Sequence, residues 1–165
     1  VIAHILCPGP SLPRTWKRLG FGPSIAVNRA IDFTCCDWLV AGDACTFDRI
    51  VGRPLQGVCS MGAVLRDQLP PRFKDLDTQI WEDLYHGPGD PPQWGVQAAI
   101  CLALARWRIH RVALFGVDHA GTDDWDATPA ADDRSPARWA REAADLARTI
   151  AYLHELQIPV ERITA

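Results

Sequence analysis

A chain of 165 residues is long enough for one domain with a proper core and too short for a second independent one. A formal net charge of −3 leaves no basic surplus, so wholesale binding to nucleic acid has no compositional support. The longest unbroken apolar run, Ala98 to Ala105, is too short to cross a bilayer, and no charged leader precedes the first apolar segment; a soluble, cytoplasmic protein without a membrane span is expected. The six cysteines lie mostly inside apolar segments and nowhere take Cys-x-x-Cys spacing, which reads as buried thiols rather than a zinc or redox site.

In chain order, Ile2 to Leu6 is a short apolar run that breaks into Cys7-Pro8-Gly9-Pro10-Ser11. This reads as a buried strand delivering its C-terminal end into a tight turn, with a helix from Leu12 to Leu19. Gly9 lets a ligand approach the backbone, and Ser11 is expected as the helix N-cap, whose free N–H groups favour an anion such as phosphate. Pro23 to Asn28 is a second strand that ends in Asn28 and Arg29, and Asp37 to Asp43 a third that ends in Gly42 and Asp43. Further on, Gln56 to Ser60 reads as a fourth strand, Met61 to Leu69 as a helix closed by Pro70 and Pro71, and Thr78 to Leu84 as a strand or surface turn.

The Gly/Pro loop from His86 to Pro92 leads into a helix from about Gln93 to Trp107, apolar nearly all round and therefore a core element. The run from His110 to Asp118 is the clearest strand, expected at the centre of a parallel sheet, and His119 follows it. The acidic stretch from Thr122 to Arg134 is too long for a simple connection and reads as a lid or binding loop over about residues 120–135. Ser135-Pro136 then opens a helix running to about Leu156, with Trp139, Ala143, Leu146, Ala147, Ile150 and Leu153 on its core side. Ile158 to Ile163 is a final edge strand, where Pro159 is tolerated.

Strands alternating with helices give an α/β fold: a single Rossmann-like domain over residues 1–165, with a mostly parallel central sheet and helices on both faces. In such a sheet the small and polar residues at the strand ends share one edge, where ligands bind. An NAD-type oxidoreductase is disfavoured because the opening lacks a full Gly-x-Gly-x-x-Gly.

The order of Cys7 to Ser11, Ala26 to Ala30, Asp37 to Asp43, Gly95 opening an Ala-rich helix, and Leu114 to Asp118 resembles a superfamily with two branches. One groups proteins similar to archaeal 6-hydroxymethylpterin diphosphokinase; the other is the bacterial lipooligosaccharide sialyltransferases that use CMP-sialic acid. The likeness runs from Val1 to about Gly121 and rests on the order of the motifs. It implies a transferase acting on a nucleotide-activated small molecule, foremost a glycosyltransferase with a CMP-type sugar donor. The resemblance implies that Gly9, Pro10 and Ser11 lie along the nucleotide phosphate and that Asn28 contacts the nucleotide-sugar. Asp43 matches a polar position facing the crevice. Where the family often has Ser-Gly or Thr-Gly before the Ala-rich helix, this chain has Trp94-Gly95, and Trp94 is then a candidate to stack on a base. Cys7 replaces the sialyltransferase branch's first glycine and is expected to narrow the approach to the backbone.

His119 is the candidate base for an acceptor hydroxyl, with Asp118 beside it as a second candidate catalytic residue. Arg29 and the helix N-termini would meet the charge of a departing phosphate. No metal site is assigned; for diphosphate transfer Mg²⁺ would draw on Asp43, Asp118 and the acidic loop. The alternatives are therefore a Mg-dependent diphosphokinase-like enzyme or a non-catalytic nucleotide-binding or structural relative, and a homo-oligomer is compatible with either.

Overall fold

The computed structural model describes residues 1–73, 75–86, 94–119 and 135–164. Most of the Gly/Pro loop before the long core helix, Gln93, and the acidic segment expected as a lid lie outside the described residues. Seven strands form one sheet: β1 (Ile2–Leu6), β2 (Ser24–Val27), β3 (Trp38–Ala41), β4 (Gly57–Ser60), β5 (Asp77–Ile80), β6 (Arg111–Phe115) and β7 (Val160–Ile163). Their order is β5-β4-β3-β2-β1-β6-β7, and every pairing is parallel. This is the α/β fold expected, with a sheet that is parallel throughout.

The strands β1 to β4 are buried almost residue for residue because both faces are covered. On one face Ile5, Val27, Val40 and Cys59 meet Ala98, Ala99, Leu102 and Ala103 of α4 (Gly95–Arg106), with Leu146 and Leu153 of α5 (Pro136–Glu155) beside them. On the other, Leu6, Ala26, Leu39 and Phe115 meet Leu12 of α1 (Leu12–Thr15), Ile31 and the 3₁₀ residues Phe47 and Ile50. Two short helices, α2 (Ala63–Asp67) and α3 (Trp81–Leu84), flank β4 and β5. No described helix is long and apolar enough to cross a membrane.

Several expectations need correction. The strand ending at Phe115 is not central: β6 is next to last, and β2 holds the middle of the sheet. Its near-continuous apolarity reflects cover on both faces, which any interior strand shares. The first helix is a single α-turn followed by a 3₁₀ turn, Trp16–Arg18. Thr15 explains the change, since its hydroxyl bonds back to the Ser11 and Leu12 carbonyls at 3.1 and 3.3 Å and competes with helix propagation. Ser11 is already helical at φ −78° and ψ −15°, and its side chain caps nothing. Ser135, by contrast, caps α5 as expected, its hydroxyl accepting from the Arg138 amide at 3.3 Å. On α5, Ala147 is exposed rather than core, because a helix over the β6–β7 end of the sheet needs only a narrow apolar stripe. All six cysteines are free; Cys35 and Cys45 are exposed, while burial pushes the Cys36, Cys59 and Cys101 thiols up to about 12.

His4 is buried within β1, its ring against Phe115 with centroids 6.0 Å apart and its Nε2 accepting the Gly20 amide at 3.3 Å. Burial lowers its pKa below 6.5, with the Pro23 carbonyl pulling the other way. The unfolded chain therefore takes up a proton near pH 6.5 that the folded chain still refuses, so His4 costs no stability above that pH and an increasing amount below it. Thermal melts at about pH 7.5 and about pH 5.5 should show a smaller acid-induced drop for His4→Phe than for the unaltered chain; equal drops would contradict this.

Candidate active site

Since all strands run the same way, their C-terminal ends form one rim, and along it β3, β2, β1 and β6 are four consecutive neighbours. The direction of sheet growth reverses between β1 and β6, the position where open α/β sheets bind ligands. The turn after β1 and the turn after β6 are joined there by backbone. Cys7 N–H donates to the Phe115 carbonyl at 2.8 Å and Gly9 N–H to the Gly116 carbonyl at 3.1 Å. Asp118 Oδ2 accepts the Ser11 amide at 2.9 Å. A Cβ on Gly9 would collide with Asp118 Oδ2 and the Gly116 carbonyl, and one on Gly116, at φ +65°, with the Cys7 carbonyl. Pro10 is exposed at the apex of the first turn.

One strand over, Asn28 stands at φ +47° just past β2, and its side-chain oxygen accepts the Gly42 amide at 2.6 Å. Asn28 thus ties the end of β2 to the end of β3. Arg29 is half-buried in the 3₁₀ turn that follows, and Asp43 is exposed beyond Gly42. Gly95 begins α4 over the end of β2, so close to Val27 that any side chain would clash with it. Trp94 is committed to α5: its indole N–H donates to Asp145 and its ring lies beneath the Arg138 guanidinium, 5.3 Å from the centroid. Cys7 turns its thiol into the core, so its bulk is carried away from the rim rather than across it.

His119, the second of the predicted residues with a left-handed backbone at φ +47°, follows Asp118 at the end of β6. Such conformations in residues other than glycine cost energy and gather at functional sites, and two of the three found among the described residues are predicted site residues; the third, Gln157, follows the end of α5. The His119 imidazole is only 9% exposed, lies 6.2 Å from the ring of Trp139, and faces Arg162 and Glu142. Its pKa is lowered by burial first and by the Arg162 cation second, with Asp118 opposing them. Burial and the Arg162 cation both favour the neutral ring.

A cavity of about 300 Å³ opens beside this cluster, lined by Ser11, Leu114, Val117, Asp118, Arg162, Ile163 and Thr164. The fold thus brings Gly9, Pro10, Ser11, Asp118 and His119 together at the reversal point, and Asn28, Gly42 and Asp43 into a second group on the same rim. With strands about 4.8 Å apart, the ends of β3 and β6 are roughly 14 Å from each other. Asp43 and Asp118 thus follow strands that lie three places apart along the rim. Among the described residues no three His, Cys, Asp or Glu side chains converge on a metal-sized site. Sequence reasoning missed Arg162, Glu142 and Trp139, which come from α5 and β7.

Solved structures share this architecture, among them two of one sialyltransferase. The sialyltransferase CST-II, crystallised with a trisaccharide acceptor and CMP, matches 99% of this chain and 81% of its own at a TM-score of 0.61 and 11% identity. A point variant of the α-2,3/8-sialyltransferase CstII matches at a TM-score of 0.60 and 11% identity, covering 99% of this chain and 82% of its own. The fold is that of these glycosyltransferases. No protein-family model and no curated protein sequence matches the chain. The likeness to the sialyltransferase branch is thus one of architecture, and these structures lend nothing to the diphosphokinase branch.

The Asp118 to Ser11 bond is the cross-link of the reversal point. Asp118→Ala would leave a partly buried amide without its acceptor, so it should destabilise the chain by about 1–3 kcal/mol in denaturant unfolding, and Asp118→Asn by less. No loss in Asp118→Ala would mean that the two turns are held by the backbone alone.

Proposed function

We propose that the protein is a transferase acting on a nucleotide-activated donor, foremost a glycosyltransferase using a CMP-type nucleotide-sugar. The observation that carries this reading is the placement of the predicted residues on four adjacent strand ends of a sheet whose architecture matches two structures of the sialyltransferase CstII. A rim roughly 14 Å long suits a ligand with two chemically distinct ends. The nucleotide would lie over β2 and β3, against Asn28, Gly42 and Asp43, with Arg29 near. Its phosphate would meet the Gly9-Pro10-Ser11 turn and the N-terminus of α4 at Gly95, where free N–H groups and the helix dipole favour an anion.

The acceptor would approach from the His119 end. Its hydroxyl oxygen bonds to the anomeric carbon, the carbon–oxygen bond to the phosphate breaks with its electrons leaving on CMP, and His119 takes the hydroxyl proton. A neutral imidazole is required, and burial together with Arg162 favours that form. Trp94 supports the site from behind, because Asp145 and Arg138 occupy its N–H and one face of its ring.

Calorimetry should detect CMP binding, weakened about tenfold, or about 1.4 kcal/mol, by Ser11→Ala or Asp43→Ala. Release of CMP from a CMP-sugar should proceed in the presence of a metal chelator and fall on the order of 100-fold or more in His119→Ala. Its kcat/KM should hold down to below pH 6.5 before the acid limb sets in, because the His119 pKa is lowered from that value. Binding of no nucleotide at all would leave a structural scaffold as the reading, and strict dependence on Mg²⁺ would favour phosphoryl transfer.

A further inference from the structure

The C-terminal third of the chain reads in sequence as a packing helix and an edge strand, yet it supplies both groups that face the ring nitrogens of His119. Arg162 on β7 places Nη2 3.4 Å from Nδ1, and Glu142 on α5 places Oε1 3.9 Å from Nε2. A guanidinium only donates hydrogen bonds. Its approach to Nδ1 is favourable only when that nitrogen carries a lone pair, which puts the single proton of the neutral ring on Nε2, a buried nitrogen that makes no hydrogen bond and has the Glu142 carboxylate as a nearby charge. The same Arg162 nitrogen donates to the Val117 carbonyl at 2.6 Å, so the backbone, rather than the imidazole, anchors the guanidinium. The longer contact to Nδ1 leaves that lone pair within reach of another donor. Trp139, one turn before Glu142 on α5, restricts the plane of the ring.

We propose that Arg162 and Glu142 are positioning residues: Arg162 sets His119 as its Nε2–H tautomer, so that Nδ1 is the atom that takes the acceptor's proton, and the charge of Glu142 stabilises the imidazolium that results. The arrangement has the logic of a nucleophile's histidine oriented by a carboxylate, with the two ring nitrogens exchanged. Its catalytic half rests on the transferase reading above; its tautomeric half does not. Arg162 also borders the cavity that Ser11, Asp118 and Thr164 line, so Nδ1 and the cavity share a neighbour. That cavity is then the way in for the acceptor hydroxyl, whose proton passes to Nδ1 as its oxygen bonds to the anomeric carbon and CMP departs. The described charged and titratable groups around the ring are Asp118 after β6, Glu142 on α5, Arg162 on β7, and the buried Cys7 at the end of β1, whose thiol feels all three.

The test is nitrogen NMR of the full chain labelled with ¹⁵N-histidine, without ligand, with His119 assigned from the signals lost in His119→Gln. At neutral pH the ring should carry its proton on Nε2, and Arg162→Met should move the His119 pKa upward, since the guanidinium holds it down. Under turnover, Glu142→Gln should lower kcat about 100-fold with KM little changed and melting unaltered. A proton on Nδ1 in the unaltered chain, a His119 pKa unmoved in Arg162→Met, or an unchanged kcat in Glu142→Gln would overturn the proposal. Should no sugar be transferred at all, the tautomer and the Arg162→Met shift still decide whether these residues position His119, and only the transferase reading fails.

Discussion

Everything at the candidate rim depends on how closely the turn after β1 approaches the turn after β6 where the sheet reverses direction. Gly9 and Gly116 lie against each other with no room for a Cβ on either, and two backbone hydrogen bonds and the Asp118 to Ser11 bond close the contact. That contact aims the turn after β1 across the strand ends and sets the point from which α1 departs. It also fixes where Asp118 releases the chain, and so where His119 stands. A side chain at either glycine would push the two turns apart and open the crevice along its middle.

The chemistry along the rim divides in two. Toward β3 the groups are small or exposed and tied to one another, as in the Asn28 to Gly42 bond, which suits recognition of an extended polar ligand. Toward β6 and β7 they are cramped and charged, with a nearly buried imidazole between a guanidinium and a carboxylate. That division suits the transferase proposed above, which would need recognition of its donor at one end and proton transfer at the other. The two left-handed residues, Asn28 and His119, mark the two halves, each bending the chain sharply at a strand end so that its side chain turns to the rim or its neighbour.

Much of this was legible in the amino-acid order because each strand is a short apolar run that breaks abruptly into small or polar residues, and such breaks mark strand ends. The first three strands, β6, α4, α5 and the edge strand were located that way to within a few residues. Position across the sheet was not, since an apolar run reports cover on both faces and not rank among neighbours; hence β6 was expected at the centre. The fate of Trp94 was hidden because its partners Asp145 and Arg138 lie on a helix whose polar side looked solvated. Glu142 and Arg162 were hidden for the same reason: on an amphipathic helix and an edge strand, a charged residue that faces a site has the same periodicity as one that faces water. The Asp118 to Ser11 bond joins residues 107 positions apart and leaves no local trace.

The most direct measurement is a crystal of the protein grown or soaked with CMP. The account predicts density for the nucleotide along the strand ends, its phosphate against the Gly9-Pro10-Ser11 turn and its nucleoside within hydrogen-bond reach of Asn28 or Asp43, with His119 facing the open end. Density for CMP elsewhere on the molecule, or an empty rim at saturating nucleotide, would contradict it.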